Sequence, residues 1–321
     1  MRVYIFLFVV LLLFVIAFTV NAAIPILESG VYIMNGSQNL DVGYDAAPEV
    51  CDWDNDGKKD LILGRWESGN ILFYQNKGTN SSPSFNGYEL IQAAGSPIQL
   101  PYSWCGGSSP RVVDWNENGK KDLLSGDANG RINIFNNIGT DANPVFLLST
   151  YLKLGLINDF DCSAYSMPEI ADWNNDGKKD VLCGNYAGNV YLLLNIGTND
   201  SPSFSSSSLI QDGSSNLNVG TYASPVVIDW NKDGKKDLLC GNYAGNILYF
   251  ENKGTDNSPS FNGSVALSSG STTIDVGSYA RIEVYDWDSD GQVDLLSGNS
   301  DGYLFYYHAQ NTTEASTWEL Y

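Results

Sequence analysis

Basic residues are scarce in this chain. Lysine and arginine together number 17 against 37 acids, a formal net charge of −20 over 321 residues. A surface of that sign repels nucleic acid and anionic membranes, and unless the charge is neutralised it also opposes compaction. A cation is therefore worth seeking. Histidine occurs once, as His308, and beyond the first two residues arginine occurs only as Arg65, Arg111, Arg131 and Arg281. Together with the lack of any nucleophile motif, that leaves little material for acid–base or nucleophilic catalysis. Cysteines number five, an odd count that cannot close a complete disulfide framework. Cys183 and Cys240 share the same local sequence and read as small core residues, whereas Cys105 and Cys162 occupy corresponding loops and could bridge. Past the N-terminus no 11-residue stretch has helical periodicity with caps, which argues against helices.

The one long hydrophobic run is at the start. Arg2, the apolar stretch Val3 to Val20 and the small residues of Val20-Asn21-Ala22 read as an export signal over residues 1–22. An uncleaved anchor is the alternative reading. The expectation is a secreted protein, or a cell-surface one if the segment is kept, with residues 23–321 forming one domain that faces an exterior, calcium-rich compartment and has no membrane contact after cleavage.

What is abundant is repetition. Asp-Trp-x-x-x-Gly-x-x-Asp occurs five times, beginning at Asp52, Asp114, Asp172, Asp229 and Asp286. Each copy is followed by an apolar stretch ending in Gly (Gly64, Gly126, Gly184, Gly241, Gly298). A second Gly follows, then an alternating apolar run, and in four copies Asn-x-Gly-Thr. An aromatic residue closes each unit: Phe85, Phe146, Phe204, Phe261 and Trp318. Every unit thus offers about four short strands bounded by turn residues. One such sheet cannot bury both faces, but a ring of them can. The expected fold is all-β: a five-bladed propeller of four-stranded antiparallel blades, closed by an N-terminal strand that completes the last blade and removes a sheet edge.

The loop itself predicts chemistry. Oxygen-bearing side chains at positions 1, 3 and 5, a turn-permitting Gly at 6, a backbone carbonyl at 7 and an Asp at 9 are what a hard cation of calcium's size requires. The ligand sets are Asp52, Asp54, Asp56, Lys58 (carbonyl) and Asp60; Asp114, Asn116, Asn118, Lys120 (carbonyl) and Asp122; Asp172, Asn174, Asp176, Lys178 (carbonyl) and Asp180; Asp229, Asn231, Asp233, Lys235 (carbonyl) and Asp237; and Asp286, Asp288, Asp290, Gln292 (carbonyl) and Asp294. The loops hold four, two, three, three and four carboxylates, so up to five Ca²⁺ ions are expected and the Asp114 to Asp122 loop should be the weakest. Five such ions would halve the net charge of −20. Asx-turn closure alone would explain the first Asp but not the oxygens at 3, 5 and 9. The tryptophans at position 2 read as packing between blades, and the paired lysines as solvated.

These residues resemble the FG-GAP or VCBS-type repeat, the unit of the integrin α-chain propeller, which is also found in exported microbial proteins and some fungal lectins. The resemblance covers essentially the whole chain after the signal. It implies that the calcium loop joins the first and second strands of a blade, with metal ligation at the loop positions above. It departs from the family in blade number, usually seven, and in degenerate Phe-Gly and Gly-Ala-Pro landmarks, of which Tyr222-Ala-Ser-Pro225 is a remnant.

If calcium loops occupy one face, the other is aromatic. Loops leading into strand one carry Tyr44, Trp104, Tyr165, Tyr222 and Tyr279, and the turns between strands two and three carry Trp66, Tyr186 and Tyr243, with Asn185 and Asn242 beside the tyrosines. Rings next to amides suit sugars, and repetition would add avidity. The expected function is a calcium-binding module that recognises an extracellular glycan, with a protein ligand as the alternative partner and a polysaccharide-degrading enzyme as a third reading. Packing at the channel mouth is the competing role for these tyrosines.

Overall fold

The structure is a computed structural model that describes residues 24–102 and 107–310. The expected signal segment, Trp104, Cys105 and Trp318 lie outside the described residues.

Strand one of each repeat (Ala47–Cys51, Ser109–Val113, Met167–Ala171, Ser224–Ile228, Arg281–Tyr285) pairs antiparallel with strand two (Asp60–Gly64, Asp122–Gly126, Asp180–Gly184, Asp237–Gly241, Asp294–Gly298). Strand three follows antiparallel (Ile71–Tyr74, Ile132–Phe135, Val190–Leu193, Ile247–Phe250, Leu304–Tyr307). A two-residue outer strand completes four of these sheets (Glu89–Leu90, Thr150–Tyr151, Ser208–Leu209, Val265–Ala266). In the Asp286 sheet the outer strand is Val31–Tyr32, from the other end of the chain.

The expected blade number does not hold. Counted as four-stranded sheets, the propeller has six blades, not five. The sixth is assembled where the first and last described strands meet: Ile26–Leu27 runs parallel to Ser268–Ser269 and antiparallel to Ala309–Gln310, and Thr272–Thr273 flanks Ser268–Ser269. Short hairpins like Ser268–Thr273 recur after the other outer strands as two-stranded sheets; only this one recruits terminal strands. It has no acidic loop, so the repeat period could not announce it. The aromatic expected to begin strand four instead precedes it, as an isolated bridge residue at Phe85, Phe146 and Phe261.

Strand two is buried along its whole length in all five repeats, because blades stack on both of its faces. Alternation decides which neighbour each residue meets. Leu61 and Leu63 join the core shared with the Asp286 blade (Leu296, Leu304, Trp287), while Ile62 joins that shared with the Asp114 blade (Leu123, Phe135). Trp53, Trp115, Trp173 and Trp287 each lie against the Phe of the next blade: Phe146, Phe204, Phe261 and Phe85, with ring centroids 5.9, 6.2, 6.2 and 6.2 Å apart. Leu27 and Ala309 of the sixth sheet cover the core between the Asp229 and Asp286 blades. The Gly that ends strand two is dictated by contact. A Cβ on Gly64, Gly126, Gly184, Gly241 or Gly298 would come within 1.9–2.2 Å of the carbonyl oxygen of Ser108, Ser166, Ala223, Ala280 or Ala46 in the adjacent blade.

Candidate metal loops, aromatic face and axial charge cluster

Each acidic loop joins strands one and two, so all five open on one end of the propeller. Two residues per loop are left-handed. Position 4 has φ between 55° and 67° (Asn55, Glu117, Asn175, Lys232, Ser289), and the Gly at position 6 has φ between 80° and 88°. These curl the chain so that the Gly amide donates to the first Asp, at 2.8–3.2 Å. The Asp at position 9 does more than the sequence reading assigned to it. It is fully buried. One oxygen accepts from the Trp amide at position 2 and the other from a backbone amide just past strand three, for Asp60 those of Trp53 at 3.0 Å and Asn76 at 2.7 Å. Burial, opposed by those amides, pushes Asp60 up to about 6 and raises Asp122, Asp180, Asp237 and Asp294 in the same direction.

The Asn of Asn-x-Gly-Thr is a staple: the Asn76 side chain accepts from the amides of Gly78 and Ser84 and donates to the Thr79 carbonyl. The second lysine of each pair is not simply solvated, because it reaches the loop of the preceding blade. Lys121 meets Asn55 at 2.7 Å, Lys179 meets Glu117 at 3.4 Å, Lys236 meets Asn175 and the Asp172 carbonyl, and Lys59 meets Ser289 at 2.8 Å.

The loops differ in what their oxygens are left to do. In the Asp114, Asp172 and Asp229 loops the second oxygen of the first Asp accepts the position-5 amide, at 3.0–3.1 Å. In the Asp52 and Asp286 loops that oxygen, Asp52 Oδ1 or Asp286 Oδ1, is buried with no hydrogen-bond partner. Asp52, Asp54 and Asp60 bring carboxylate oxygens within 4.8 Å of one another, as do Asp286, Asp288 and Asp290. A buried carboxylate oxygen without a donor is costly unless a cation meets it, so these two loops fit a hard divalent ion well. At position 7, Lys58 lies 2.8 Å and Lys235 3.0 Å from the loop carboxylates Asp56 and Asp233. In the last loop this position is Gln292.

At the opposite end, backbone hydrogen bonds run from blade to blade: Tyr186 to Ala164, Tyr222 to Tyr186, Tyr243 to Thr221, Tyr279 to Tyr243. They gather Tyr165, Tyr186, Tyr222, Tyr243 and Tyr279 into one cluster with ring centroids 4.7–5.9 Å apart. Tyr165, Tyr222 and Tyr279 adopt φ of 52–57°. Tyr186 and Tyr243 are each 48% exposed, while Tyr222, at 3%, supports them from beneath. Tyr44 is elsewhere. The residue equivalent to the three tyrosines is Asp45, one position later, and it binds Arg281 of the last blade through two hydrogen bonds of 2.9 and 3.2 Å. Tyr44 instead packs edge-on against Trp66 at 5.3 Å. Asn185 and Asn242 are buried. Their amides donate to the Cys162 and Val219 carbonyls and accept from Asn189 and Asn246, so both are spent on the turn. Cys162 is buried and free, and its expected partner Cys105 lies outside the described residues.

A third cluster escaped the sequence reading. Mid strand one, Arg111 lies 2.9 Å from Glu169, 3.4 Å from Glu49 and 3.7 Å from Glu283, around a cavity of about 160 Å³ at the axis. Burial raises all three carboxyls, Glu49 to about 7. The available signal was a charge at one phase of an otherwise apolar strand in four copies of five.

Residues 52–125, 172–240 and 229–297 match the FG-GAP-like repeat, more than half of the chain. No curated protein matches the sequence. Similar solved structures include the GH43_1 enzyme from Xanthomonas citri, 12% identical over 88% of this chain and 90% of its own at a TM-score of 0.50. RS223-β-xylosidase is 13% identical over 88% of this chain and 95% of its own, at 0.53. A lectin from Agrocybe aegerita that recognises non-reducing terminal N-acetylglucosamine is 18% identical over 80% of this chain and 60% of its own, at 0.44. At such identities the likeness is one of fold alone. With its repeated acidic loops, stacked blades and matching repeat model, the chain belongs to the FG-GAP-like repeat proteins.

Proposed function

We propose that this is a secreted, calcium-stabilised β-propeller that acts as a binding module and presents its tyrosine face to carbohydrate. The observation that carries the metal half is the pair of buried, donorless oxygens, Asp52 Oδ1 and Asp286 Oδ1, inside loops of four carboxylates. Calcium would be held by the side chains at positions 1, 3, 5 and 9 and the carbonyl at 7, and would give Asp52 Oδ1 and Asp286 Oδ1 the partner they lack. The Asp52 and Asp286 loops should fill first, and the Asp114 loop last. A bound ion stabilises only the folded chain, by about 2.7 kcal/mol per site at a hundredfold excess over Kd. Chelation with EDTA should therefore lower the melting temperature and millimolar calcium should restore it. Identical melting in both buffers, with no metal in the purified protein, would remove this reading.

Support for the sugar half comes from Tyr186 and Tyr243, whose half-exposed rings each pack on Tyr222 and offer flat apolar faces next to phenol hydroxyls. Single Tyr243→Ala and Tyr186→Ala variants should weaken binding on a glycan array run with calcium, leaving the fold intact by circular dichroism. An array without any binder would leave a protein ligand as the better reading. The axial glutamates are the feature that would favour an enzyme of the kind found among the fold's glycosidase neighbours. Their cavity, about 160 Å³, is below the roughly 300–1,000 Å³ of small-molecule sites, and Arg111 occupies the carboxylates. A reducing-sugar assay on neutral and acidic polysaccharides tests this directly, and no release is expected.

A further inference from the structure

The Asp286 loop is not built like the other four. The residue just before the staple position at the end of strand three faces the loop. It is Gln75, Asn136, Leu194 and Glu251 in the first four repeats and His308 in the fifth. Gln75 reaches the position-3 ligand of its own loop, Asp54, at 2.7 Å. His308 does the same with a ring nitrogen in place of the amide N–H: its Nδ1 lies 3.2 Å from Asp288 Oδ2 and 3.3 Å from Asp294 Oδ1. The Tyr306 hydroxyl completes the group, 3.2 Å from His308 Nδ1, 3.4 Å from Asp288 Oδ2 and 3.3 Å from Asp294 Oδ2.

One imidazole nitrogen thus faces three oxygens at nearly equal distance. A single N–H can satisfy one of them, and a lone pair can satisfy only the hydroxyl. An ion among the donors would satisfy the nitrogen and both carboxylates together. The spacing also suits one class of ion. Bonds of about 2.0–2.1 Å in a tetrahedral shell place neighbouring donors roughly 3.3 Å apart, which matches the two separations from His308 Nδ1, and all three ligand atoms lie within 4.8 Å of one another. Calcium, by contrast, takes six to eight oxygens at about 2.3–2.6 Å and gains nothing from imidazole.

We propose that Asp288 Oδ2, Asp294 Oδ1 and His308 Nδ1 form a site for a divalent transition ion of the zinc class, one that the other four loops lack. Each ligand atom is available. Asp288 spends Oδ1 on the Asp290 amide, leaving Oδ2 free of backbone donors. Asp294 Oδ1 accepts the Ala309 amide at 2.8 Å and keeps a second lone pair. With the nitrogen on the ion, the single Tyr306 O–H can be given to Asp294 Oδ2, the oxygen that is not a ligand, and so orient that carboxylate as outer partners of metal ligands do. His308 is partly exposed, so the remaining positions open to water. No lysine occupies position 7, where Gln292 stands, and Asp286 Oδ1 adds a buried unpaired oxygen next door. The order of metal affinities for imidazole-containing sites favours zinc, nickel and copper over calcium and magnesium. The site shares Asp288 and Asp294 with the calcium loop proposed above, but it does not require that calcium bind there.

The chain has a single histidine, so its imidazole proton resonances are assigned without ambiguity. The experiment titrates EDTA-stripped full-length protein with Co²⁺, reading visible absorption and the His308 resonances, and in parallel with Ca²⁺. The expected result is that the first equivalent of Co²⁺ shifts or broadens the His308 lines and gives ligand-field absorption. His308→Gln should lower that affinity by at least about tenfold while leaving the number of calcium ions bound unchanged. His308→Asn is the second variant if the first does not fold. Unmoved His308 lines at one equivalent, or a His308→Gln variant that binds Co²⁺ as tightly as the parent, overturns the proposal. Calcium binding that persists in that case leaves the calcium reading standing. A cobalt response without any calcium binding sinks the calcium reading alone.

Discussion

Arg111 is the one cation among three glutamates at the propeller axis, and replacing it by methionine tests how that axis is held. Methionine keeps most of the aliphatic stem and deletes the charge. Removing one member of a buried ion pair costs about 3–5 kcal/mol, because the partner is left charged in a poor solvent. The glutamates have an escape, which is to take up protons. Burial already lifts Glu49 to about 7 and raises Glu169 and Glu283. A carboxyl whose folded value exceeds its unfolded one contributes stability that is fully present below the unfolded value, and that is lost as pH rises through the folded one. Wild-type stability should therefore fall from pH 5 to pH 8. Without Arg111 the folded values climb further, so the deficit of Arg111→Met should be near zero at pH 5 and close to 3–5 kcal/mol at pH 8. For a chain of this size that is roughly 6–12 °C in melting temperature. The assay is thermal unfolding by circular dichroism at both pH values in EDTA, with Glu49→Gln/Arg111→Met recovering part of the loss at pH 8. An equal deficit at both pH values would refute the argument, since it would mean that the guanidinium stabilises by packing rather than by charge.

Asp180→Ala removes both acceptors that Trp173 and Asn195 amides use at 3.0 and 2.8 Å, and two buried donors left unmet should cost about 2–5 kcal/mol; a urea midpoint measured in EDTA must drop, or position 9 serves only the metal. Gly184→Ala puts a methyl 1.9 Å from the Ala223 carbonyl oxygen, so blades must part at a cost of about 3 kcal/mol; chemical denaturation that finds a loss below about 1 kcal/mol would mean the blade contact is soft.

The repeats, the acidic loop and the all-β architecture were legible because each rests on local chemistry: turn residues, alternation and a ligand spacing copied five times. Tyr165, Tyr222 and Tyr279 were legible as one face for the same reason. Tyr44 stands outside that cluster, because the position its three counterparts fill is taken by Asp45, whose partner Arg281 comes from far along the chain. Asn185 and Asn242 looked like ligand groups, since nothing local reveals that their amides bind carbonyls of a neighbouring loop. Likewise the position-8 lysines looked solvated until the preceding blade was in place.

The sequence by itself determined what each repeat does: where it turns, which residues alternate inward, and where oxygens converge. Tertiary structure alone decided what happens between repeats. A sixth four-stranded sheet arises because Ile26–Leu27 and Ala309–Gln310 dock on one hairpin, three glutamates meet one arginine because strand one of each of the five repeats lines the axis, and His308 meets Asp288 because strand three brings it back over the loop. These are contacts between residues far apart in sequence or in different blades, and no local periodicity encodes them.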